Sequence, residues 1–326
     1  MLTTYTVENG HLAMREGMRE PEALRGAVWI DLMQPSREEE HAVQDALRIE
    51  IPTREEMQEI ESSSRLYREE DTLVLTANFL YGVETGEFSS TPISFVLAGN
   101  SLVTVRYATP KAFPVFAARC QKTPSLMTSG DAVMLHLFEQ IVDRLADILE
   151  RIGADMDRAS QGAFRRGKPG EVTLGQNDLK EALLTLGQVG EVTTRASETL
   201  LGLNRILTFV GAEKATAIRK ENQGSIKTLV RDVRSLVEHA NFLNNKATFL
   251  LDAVLGIINV EQTNIIKTFT VVSVALMPPT LIASIYGMNF QHMPELSSTI
   301  GYPLALLLMV ATAVVPVWYF KRKGWL

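Results

Sequence analysis

Two long apolar runs near the C-terminus limit what this chain can fold into more than any other feature. Residues 268–286 and 302–320 are each 19 residues long and contain no Asp, Glu, Lys or Arg. At about 1.5 Å per residue, a helix of this length crosses a hydrocarbon core of about 30 Å. We therefore expect two transmembrane helices after a long polar part.

Basic residues flank the first run at its N-terminal end and the second run at its C-terminal end. Lys267 precedes the first run, and the basic residues 321–323 follow the second. The excess of Lys and Arg on the cytosolic side of membrane proteins therefore places both termini in the cytosol. Trp318, Tyr319 and Trp325 suit the interfacial belt at the same side. The first residues have neither a basic nor an apolar segment, so we expect no signal peptide and a cytosolic N-terminal part.

Composition excludes several classes of function. The net charge is −6, and because residues 321–323 contribute +3, residues 1–320 carry −9. An acidic cytosolic body argues against a nucleic-acid partner. The single cysteine, Cys120, forms no intramolecular disulfide and is expected to be an ordinary helix residue. The five histidines are scattered and no nucleophile–base pair stands out, so we do not expect an enzyme.

The first part of the chain, residues 1–122, has the pattern of an α/β domain. Short runs rich in Thr, Val, Ile and Leu predict strands, and they are residues 3–8, 12–16, 27–32, 72–81, 93–97 and 102–107. Two helices are predicted by capping boxes, one with Ser36 and Glu39 and one with Thr53 and Glu56.

Residues 123–212 predict a helical hairpin. Apolar residues recur at steps of three and four from residue 131 to 166, the glycines and proline of residues 167–170 interrupt the pattern, and a second helix follows from about residue 177 to 210. Acids on the first helix could collect hydrated cations, although interleaved arginines favour a solvated face; they are Asp143, Asp147, Glu150, Asp155 and Asp157.

A heptad seam predicts one long stalk helix over residues 213–267. Its members follow steps of four and three and are Leu229, Val233, Leu236, Ala240, Leu243, Ala247, Leu250, Val254 and Ile257. No proline precedes Pro278, so the helix is expected to continue into the first span, with about 90 Å between Leu229 and Asn289. Such a seam needs a covering surface, and we expect it to pack against partner helices in a parallel homo-oligomer.

The first span, residues 268–289, is too polar for a simple membrane anchor. One helical face follows steps of three and four through Ile266, Phe269, Ser273, Met277, Thr280 and Ser284. In a ring of parallel protomers this face would line a central path, with Ile266 and Phe269 as a narrow apolar collar that gates by dewetting. The alternative is that the hydroxyls bond back to their own helix or pack between helices.

Three short motifs carry a resemblance to a known family. They are Tyr286-Gly287-Met288-Asn289, then Met293-Pro294-Glu295-Leu296, then Lys321-Arg322-Lys323-Gly324-Trp325-Leu326. Occurring in this order, they resemble the CorA family of divalent-cation channels. On spacing alone, Gly-Met-Asn is better explained as a helix C-cap followed by a loop.

The resemblance implies a fold and an assembly. The implied fold is an α+β cytosolic domain with a long helical stalk and two transmembrane helices per protomer, arranged as a funnel in a homopentamer. Residues 290–301 would be the outer loop, 302–320 the second span and 321–326 a basic cytosolic tail. The location would be the inner (plasma) membrane of a prokaryote, with membrane lipid, divalent cations and further copies of the chain as partners.

The resemblance also implies residue roles. Asn289 would form the entrance selectivity ring, completed by Tyr286, Gly287 and Met288, and Thr280 and Met277 would line the pore. A neutral amide oxygen suits Mg2+, which holds its water tightly, because it can accept hydrogen bonds from that water.

Acidic residues supply the remaining candidate roles. Glu295 in the outer loop could raise the local cation concentration. Asp232 on the stalk is the candidate regulatory acid, since the family's gating is attributed to cytosolic divalent ions that bridge acids between protomers.

The resemblance implies that the leading function is a passive Mg2+ channel, also passing Co2+ and Ni2+, with Mg2+ as both transported and regulatory ion. Two alternatives remain open. One is a zinc transporter of the same family, possibly coupled to protons, which the intact Gly-Met-Asn motif disfavours. The other is a membrane-anchored cytosolic sensor without transport, which the polar first span disfavours.

Overall fold

A mixed sheet of seven strands forms the N-terminal part of the computed structural model. The strands are β1 Leu2–Glu8, β2 His11–Glu16, β3 Trp29–Met33, β4 Leu66–Glu69, β5 Thr72–Tyr81, β6 Ser89–Ala98 and β7 Ser101–Arg106. Their order in the sheet is β2-β1-β3-β7-β6-β5-β4. The central β3 and β7 pair in parallel, and the other neighbouring pairs are antiparallel. The α+β class expected from the sequence is confirmed.

The structure describes residues 1–8, 10–164, 176–212, 218–289, 293–294, 298 and 300–325, with only the backbone described at residues 163 and 176–178. These residues fall into two compact units, Met1–Leu251 and Asp252–Leu326. The first unit contains the sheet, the two helices of the hairpin and the beginning of a third long helix, which continues into the second unit. The finer division at residues 122 and 212 remains an interpretation of the sequence.

Short helices connect the strands, and two of them begin as their sequences predict. They are α1 Pro21–Gly26, α2 Arg37–Leu47, α3 Arg54–Gln58, α4 Ser62–Arg65 and α5 Ala112–Lys122. At α2 the Ser36 hydroxyl accepts from the Glu39 N–H at 3.3 Å, and the Glu39 carboxylate accepts from the Ser36 N–H at 2.9 Å. Thr53 and Glu56 form the same reciprocal pair at α3. Each box satisfies helix N–H groups that otherwise lack partners.

The centre of the sheet is held by a buried polar network. Asp31 of β3 accepts hydrogen bonds from the Arg106 guanidinium of β7 at 2.8 to 3.2 Å. Thr104 donates to Asp31 at 2.7 Å and accepts from the Trp29 indole at 3.0 Å. Since a buried charge is tolerated only when it is paired and hydrogen-bonded, this network requires that β3 and β7 be neighbours.

Two long helices form the hairpin, and a third packs beside them. They are α6 Gly130–Phe164, α7 Gln176–Ala212 and α8 Gln223–Tyr286. The predicted hairpin break at residues 167–170 lies outside the described residues. Helix α8 begins at Gln223 rather than at the predicted residue 213, and a 3-10 turn over Lys220–Asn222 precedes it. The Arg219 backbone N–H and the Asn222 side-chain amide bind this turn to Asp131 of α6.

The heptad seam of α8 is buried within the single chain. Leu229, Val233, Leu243 and Leu250 are all buried, although no second copy is present. A Cβ atom added to Gly153 of α6 would lie 3.7 Å from Leu243 Cδ2, so the α6 backbone approaches the seam closely.

Contacts with both hairpin helices complete this packing. A Cβ added to Gly190 of α7 would lie 3.9 Å from the Ala247 Cβ, and Lys246 Nζ lies 2.6 Å from Asp157 Oδ1 of α6. The expectation that other copies of the chain cover the seam is therefore wrong along Leu229–Leu250, because α6 and α7 of the same chain cover it. Periodicity predicts that a face is buried, but it does not identify the element that covers it.

Candidate functional site

The second unit contains the part of α8 that is long and apolar enough to span a membrane. By length and composition, α8 and α9 Gly301–Arg322 are the two candidate spans among the described residues. Within α8, Val271 and Ala275 are buried. They lie one helical turn apart and define one face of this segment.

The predicted path face lies opposite Val271 and Ala275 and is uncovered in the single chain. At 100° per residue the path positions cluster about 180° from this buried pair. Ile266, Phe269 and Met277 are 64%, 72% and 69% exposed, and Thr280 and Ser284 are also exposed, while Ser273 is half-buried. Other positions of the span are exposed as well, among them Val272, Leu276 and Leu281, so most of the span is free to contact water, lipid or another copy of the chain.

The Thr280 hydroxyl can bond to its own helix and still face a pore. Its hydroxyl donates to the Leu276 carbonyl oxygen at 2.8 Å. A hydroxyl that donates to its own helix keeps acceptor capacity on its oxygen. Because Thr280 is exposed, this oxygen can accept a hydrogen bond from the water of a hydrated cation. Hydrogen bonding within the helix and lining of a pore are thus not mutually exclusive for this face.

Two consecutive prolines leave backbone carbonyl groups of α8 without their usual hydrogen-bond donors. Pro278 and Pro279 lie inside α8 and have no N–H. In a regular helix these N–H groups would bond to the carbonyls of Val274 and Ala275, so both carbonyls lack their usual donor. In a membrane such a carbonyl needs another partner, such as a neighbouring hydroxyl or water.

Helix α8 ends at the sequence motif. Tyr286 is its last residue, the Gly287 N–H bonds to the Ala283 carbonyl at 3.0 Å, and the Met288 N–H bonds to Ile285 at 3.3 Å. Gly287 does not have a positive φ; instead, a Cβ there would lie 3.1 Å from the Ala283 oxygen. Glycine therefore fits because of this close approach rather than because of a left-handed turn.

Asn289 follows the helix end in an exposed position. Met288 is exposed in the single chain as well. Among the described residues the Asn289 amide has no protein hydrogen-bond partner. Its carbonyl oxygen is thus available to an external donor. Glu295, predicted to attract cations, lies outside the described residues.

The candidate regulatory acid Asp232 is exposed on α8 in the first unit. Burial raises the pKa of the Asp143 carboxyl, and the charges of Glu139, Asp147 and Asp232 raise it further, while Arg119 opposes them. Like charges held near each other disfavour ionisation. Asp143 and Asp232 are therefore close enough to interact, although they are far apart in the sequence.

These acids do not complete a metal site within one chain. No group of three or more His, Cys, Asp or Glu side chains with metal-binding geometry occurs among the described residues. Mg2+ takes an octahedral set of oxygen ligands and keeps several of its waters. Asp143 and Asp232 fit such an ion only through its water or with ligands from another copy of the chain.

A family model described as CorA-like Mg2+ transporter protein matches residues 25–322. The magnesium transport protein CorA of Escherichia coli strain K12 is 34% identical over 326 residues, covering 100% of both chains.

Two solved structures share the fold. The complete structure of the CorA magnesium transporter from Methanocaldococcus jannaschii covers 100% of this chain and 99% of its own, with a TM-score of 0.75 and 18% identity. The full-length CmaX protein covers 91% of this chain and 88% of its own, with a TM-score of 0.65 and 13% identity.

Proposed function

The chain belongs to the CorA-like Mg2+ transporter family, and from this membership we propose that it is a channel for the passive influx of Mg2+. The observation that carries the proposal is that an exposed face of α8 bearing Thr280 and Ser284 ends beside the exposed Asn289. The membrane potential drives the ion, since a double charge gains about 4.6 kcal/mol per 100 mV, twice the single-charge value. Co2+ and Ni2+ are proposed to follow the same path.

Asn289 is proposed to recognise the hydrated ion at the outer entrance. Removing water from Mg2+ is costly, so a ring of neutral oxygens that accept hydrogen bonds from the bound water is favourable. Tyr286, Gly287 and Met288, which follow each other at the end of α8, are proposed to position this amide at the entrance. Glu295 in the outer loop is proposed to concentrate cations at the entrance.

The path itself requires several copies of the chain. A single span cannot enclose a water-filled path, and its lipid-exposed polar groups would be costly in hydrocarbon. Further copies that turn the same face inward would bring Ser273, Met277, Thr280 and Ser284 to a common axis. A homopentamer is proposed from the family resemblance. Ile266 and Phe269 would then form the apolar collar that closes by dewetting.

Regulation is proposed to use the cytosolic acids. A divalent ion held at Asp232, through water and with acids of a second copy, would relieve the repulsion between Asp232 and Asp143, which adds to the effect of burial in raising the pKa of Asp143. Loss of the ion would restore the repulsion and favour a rearranged, open state. Mg2+ is thereby both the transported ion and the regulatory ligand. The termini are proposed to lie in the cytosol, and the spans in the inner membrane of a prokaryote.

The test is Mg2+ uptake into liposomes that contain the purified full chain and a Mg2+-sensitive dye. We expect Asn289→Ala to reduce uptake at least tenfold under an inward-negative potential, because the water-binding ring is lost. Asn241→Ala is the matched control, since Asn241 is an exposed residue of α8 in the first unit. Unchanged uptake by Asn289→Ala would contradict the entrance role.

Parallel assays with Zn2+ across a pH gradient address the alternative within the same family. Uptake of Zn2+ that exceeds uptake of Mg2+ and follows the proton gradient would favour a zinc transporter. Absence of flux for every divalent ion would favour a membrane-anchored sensor.

A further inference from the structure

Helix α9 ends in a defined structure rather than a frayed terminus. Gly324 has φ +71°, a left-handed conformation that glycine adopts without strain. The Trp325 N–H bonds to the Phe320 carbonyl at 3.1 Å, and the Gly324 N–H bonds to the Lys321 carbonyl at 3.2 Å. These two bonds define a Schellman motif. Its usual hydrophobic contact is present as well, because the Phe320 and Trp325 rings stack with centroids 5.1 Å apart.

The motif holds three cationic side chains in a short segment, which we name the basic tail, residues 318–325. The Arg322 guanidinium lies 5.5 Å from the Trp318 ring centroid, and the Lys323 ammonium lies 5.8 Å from the Tyr319 centroid. Cation–π contacts of this kind orient the charged groups along an aromatic surface. Lys321 is the third cation, and all three are exposed.

No acid of the chain neutralises the basic tail in the described residues. In the part of the chain that the structure describes, no carboxylate lies within 4.0 Å of the three cations, and no Asp or Glu follows Glu295 in the sequence. The end of a helix carries only about half a negative charge, and its carbonyls are already engaged by the Schellman bonds. The tail therefore presents a surplus of positive charge beside two interfacial aromatic rings.

We propose that the basic tail is a binding site for the headgroup of an anionic phospholipid. The phosphate would pair with Lys321, Arg322 and Lys323, while Trp318 and Trp325 lie at the level of the lipid glycerol and carbonyl groups, where amphipathic rings are favoured. The site requires that α9 lies in the membrane but does not require ion conduction. Each basic side chain is expected to raise the preference for anionic over zwitterionic lipid about fivefold.

Tryptophan quenching by brominated lipid provides a direct test. The chain has three tryptophans, of which Trp29 is buried in the first unit and the other two belong to the basic tail. The full chain is reconstituted in vesicles with equal mole fractions of brominated phosphatidylglycerol or brominated phosphatidylcholine. We expect stronger quenching by the brominated phosphatidylglycerol, and we expect this excess to decline as salt is added.

Two variants separate charge from geometry. The triple variant Lys321→Gln, Arg322→Gln, Lys323→Gln should lose the excess quenching and keep the quenching by phosphatidylcholine. Gly324→Ala retains every charge but is strained at φ +71°, so it should release Trp325 and lower the excess. The triple variant Lys227→Gln, Arg231→Gln, Arg234→Gln removes the same charge from exposed residues of the first unit and should keep the excess.

Each other outcome would overturn the proposal. Equal quenching by the two lipids, or an excess that persists in the tail variant, would show that the tail does not bind the headgroup. An equal loss in the control variant would indicate a general charge effect, and displacement by inorganic phosphate at constant ionic strength would indicate a free-anion site. Quenching is measured without an ion gradient, so a failure of the proposed transport would leave this result interpretable.

Discussion

Asp131 joins the start of α6 to the segment that begins α8. Its Oδ2 atom accepts from the Arg219 backbone N–H at 2.9 Å and from the Asn222 side-chain amide at 2.8 Å, and its Oδ1 atom accepts from the Ser129 hydroxyl at 2.5 Å. Although burial alone would raise the pKa of Asp131, these hydrogen bonds and the nearby Arg219 lower it below its ordinary value. One carboxylate thus anchors residues that are about 90 positions apart in the sequence.

We predict that Asp131→Asn destabilises the protein by about 1–3 kcal/mol, because a buried set of donors loses its charged acceptor. The lowered pKa also gives a pH dependence. The contribution of Asp131 is complete above its unfolded pKa and is lost as the pH falls through its folded pKa. Thermal unfolding of the detergent-solubilised full chain between pH 3 and pH 7 measures both effects.

Asp45→Asn provides the control for this prediction, since Asp45 is exposed on α2. A parallel loss of stability on acidification in the parent protein and in Asp131→Asn would contradict the assignment, because the variant should lack this part of the acid dependence.

The seam of α8 predicts a contrast between two adjacent residues. Leu243 is 1% exposed and Phe242 is 59% exposed in the single chain. Leu243→Ala should therefore cost about 2–5 kcal/mol, whereas Phe242→Ala should change the stability of the isolated chain by less than about 0.5 kcal/mol. Thermal unfolding under conditions that keep the chain monomeric makes the comparison. A large cost for Phe242→Ala that appears only in the assembled protein would place Phe242 in an interface between copies.

The apolar collar predicts an increase in flux rather than a loss. Ile266→Ser should favour wetting of the narrow segment, so the closed state should leak and Mg2+ uptake at high internal Mg2+ should rise severalfold. Leu307→Ser is a similar substitution at an exposed position of α9, the other span, and should leave this uptake unchanged. Equal uptake by the parent protein and Ile266→Ser would argue against a gate at this residue.

The acidic residues of α6 and α8 predict a ligand effect. We expect Mg2+ to raise the unfolding temperature of the full chain, and we expect Asp232→Asn to reduce that increase by at least half. Glu238→Gln, at an exposed position of α8, tests whether loss of any acid on this helix reduces the stabilisation by Mg2+. If Mg2+ stabilises Asp232→Asn and the parent protein equally, Asp232 does not hold the regulatory ion.

Some local features were predictable because their determinants lie close together in the chain. Ser36 and Glu39 are three residues apart, so the capping box follows from the sequence and the geometry of a helix start. That the residues from Ile266 to Ser284 share one side of a helix likewise follows from their steps of three and four. The site roles of these residues remain predictions, because they depend on other copies of the chain and on a bound ion.

The sequence by itself determined the two membrane-length runs, the amphipathic faces of the helices and the resemblance carried by the motif ending at Asn289. These depend on composition and on helical periodicity, which act over short stretches of chain. Only the tertiary structure decided that α6 and α7 cover the α8 seam, that β3 and β7 are parallel neighbours, and that Asp131 binds the segment before α8. Such pairings depend on surfaces that are distant in sequence, so a local pattern shows that a partner is needed without showing which one it is.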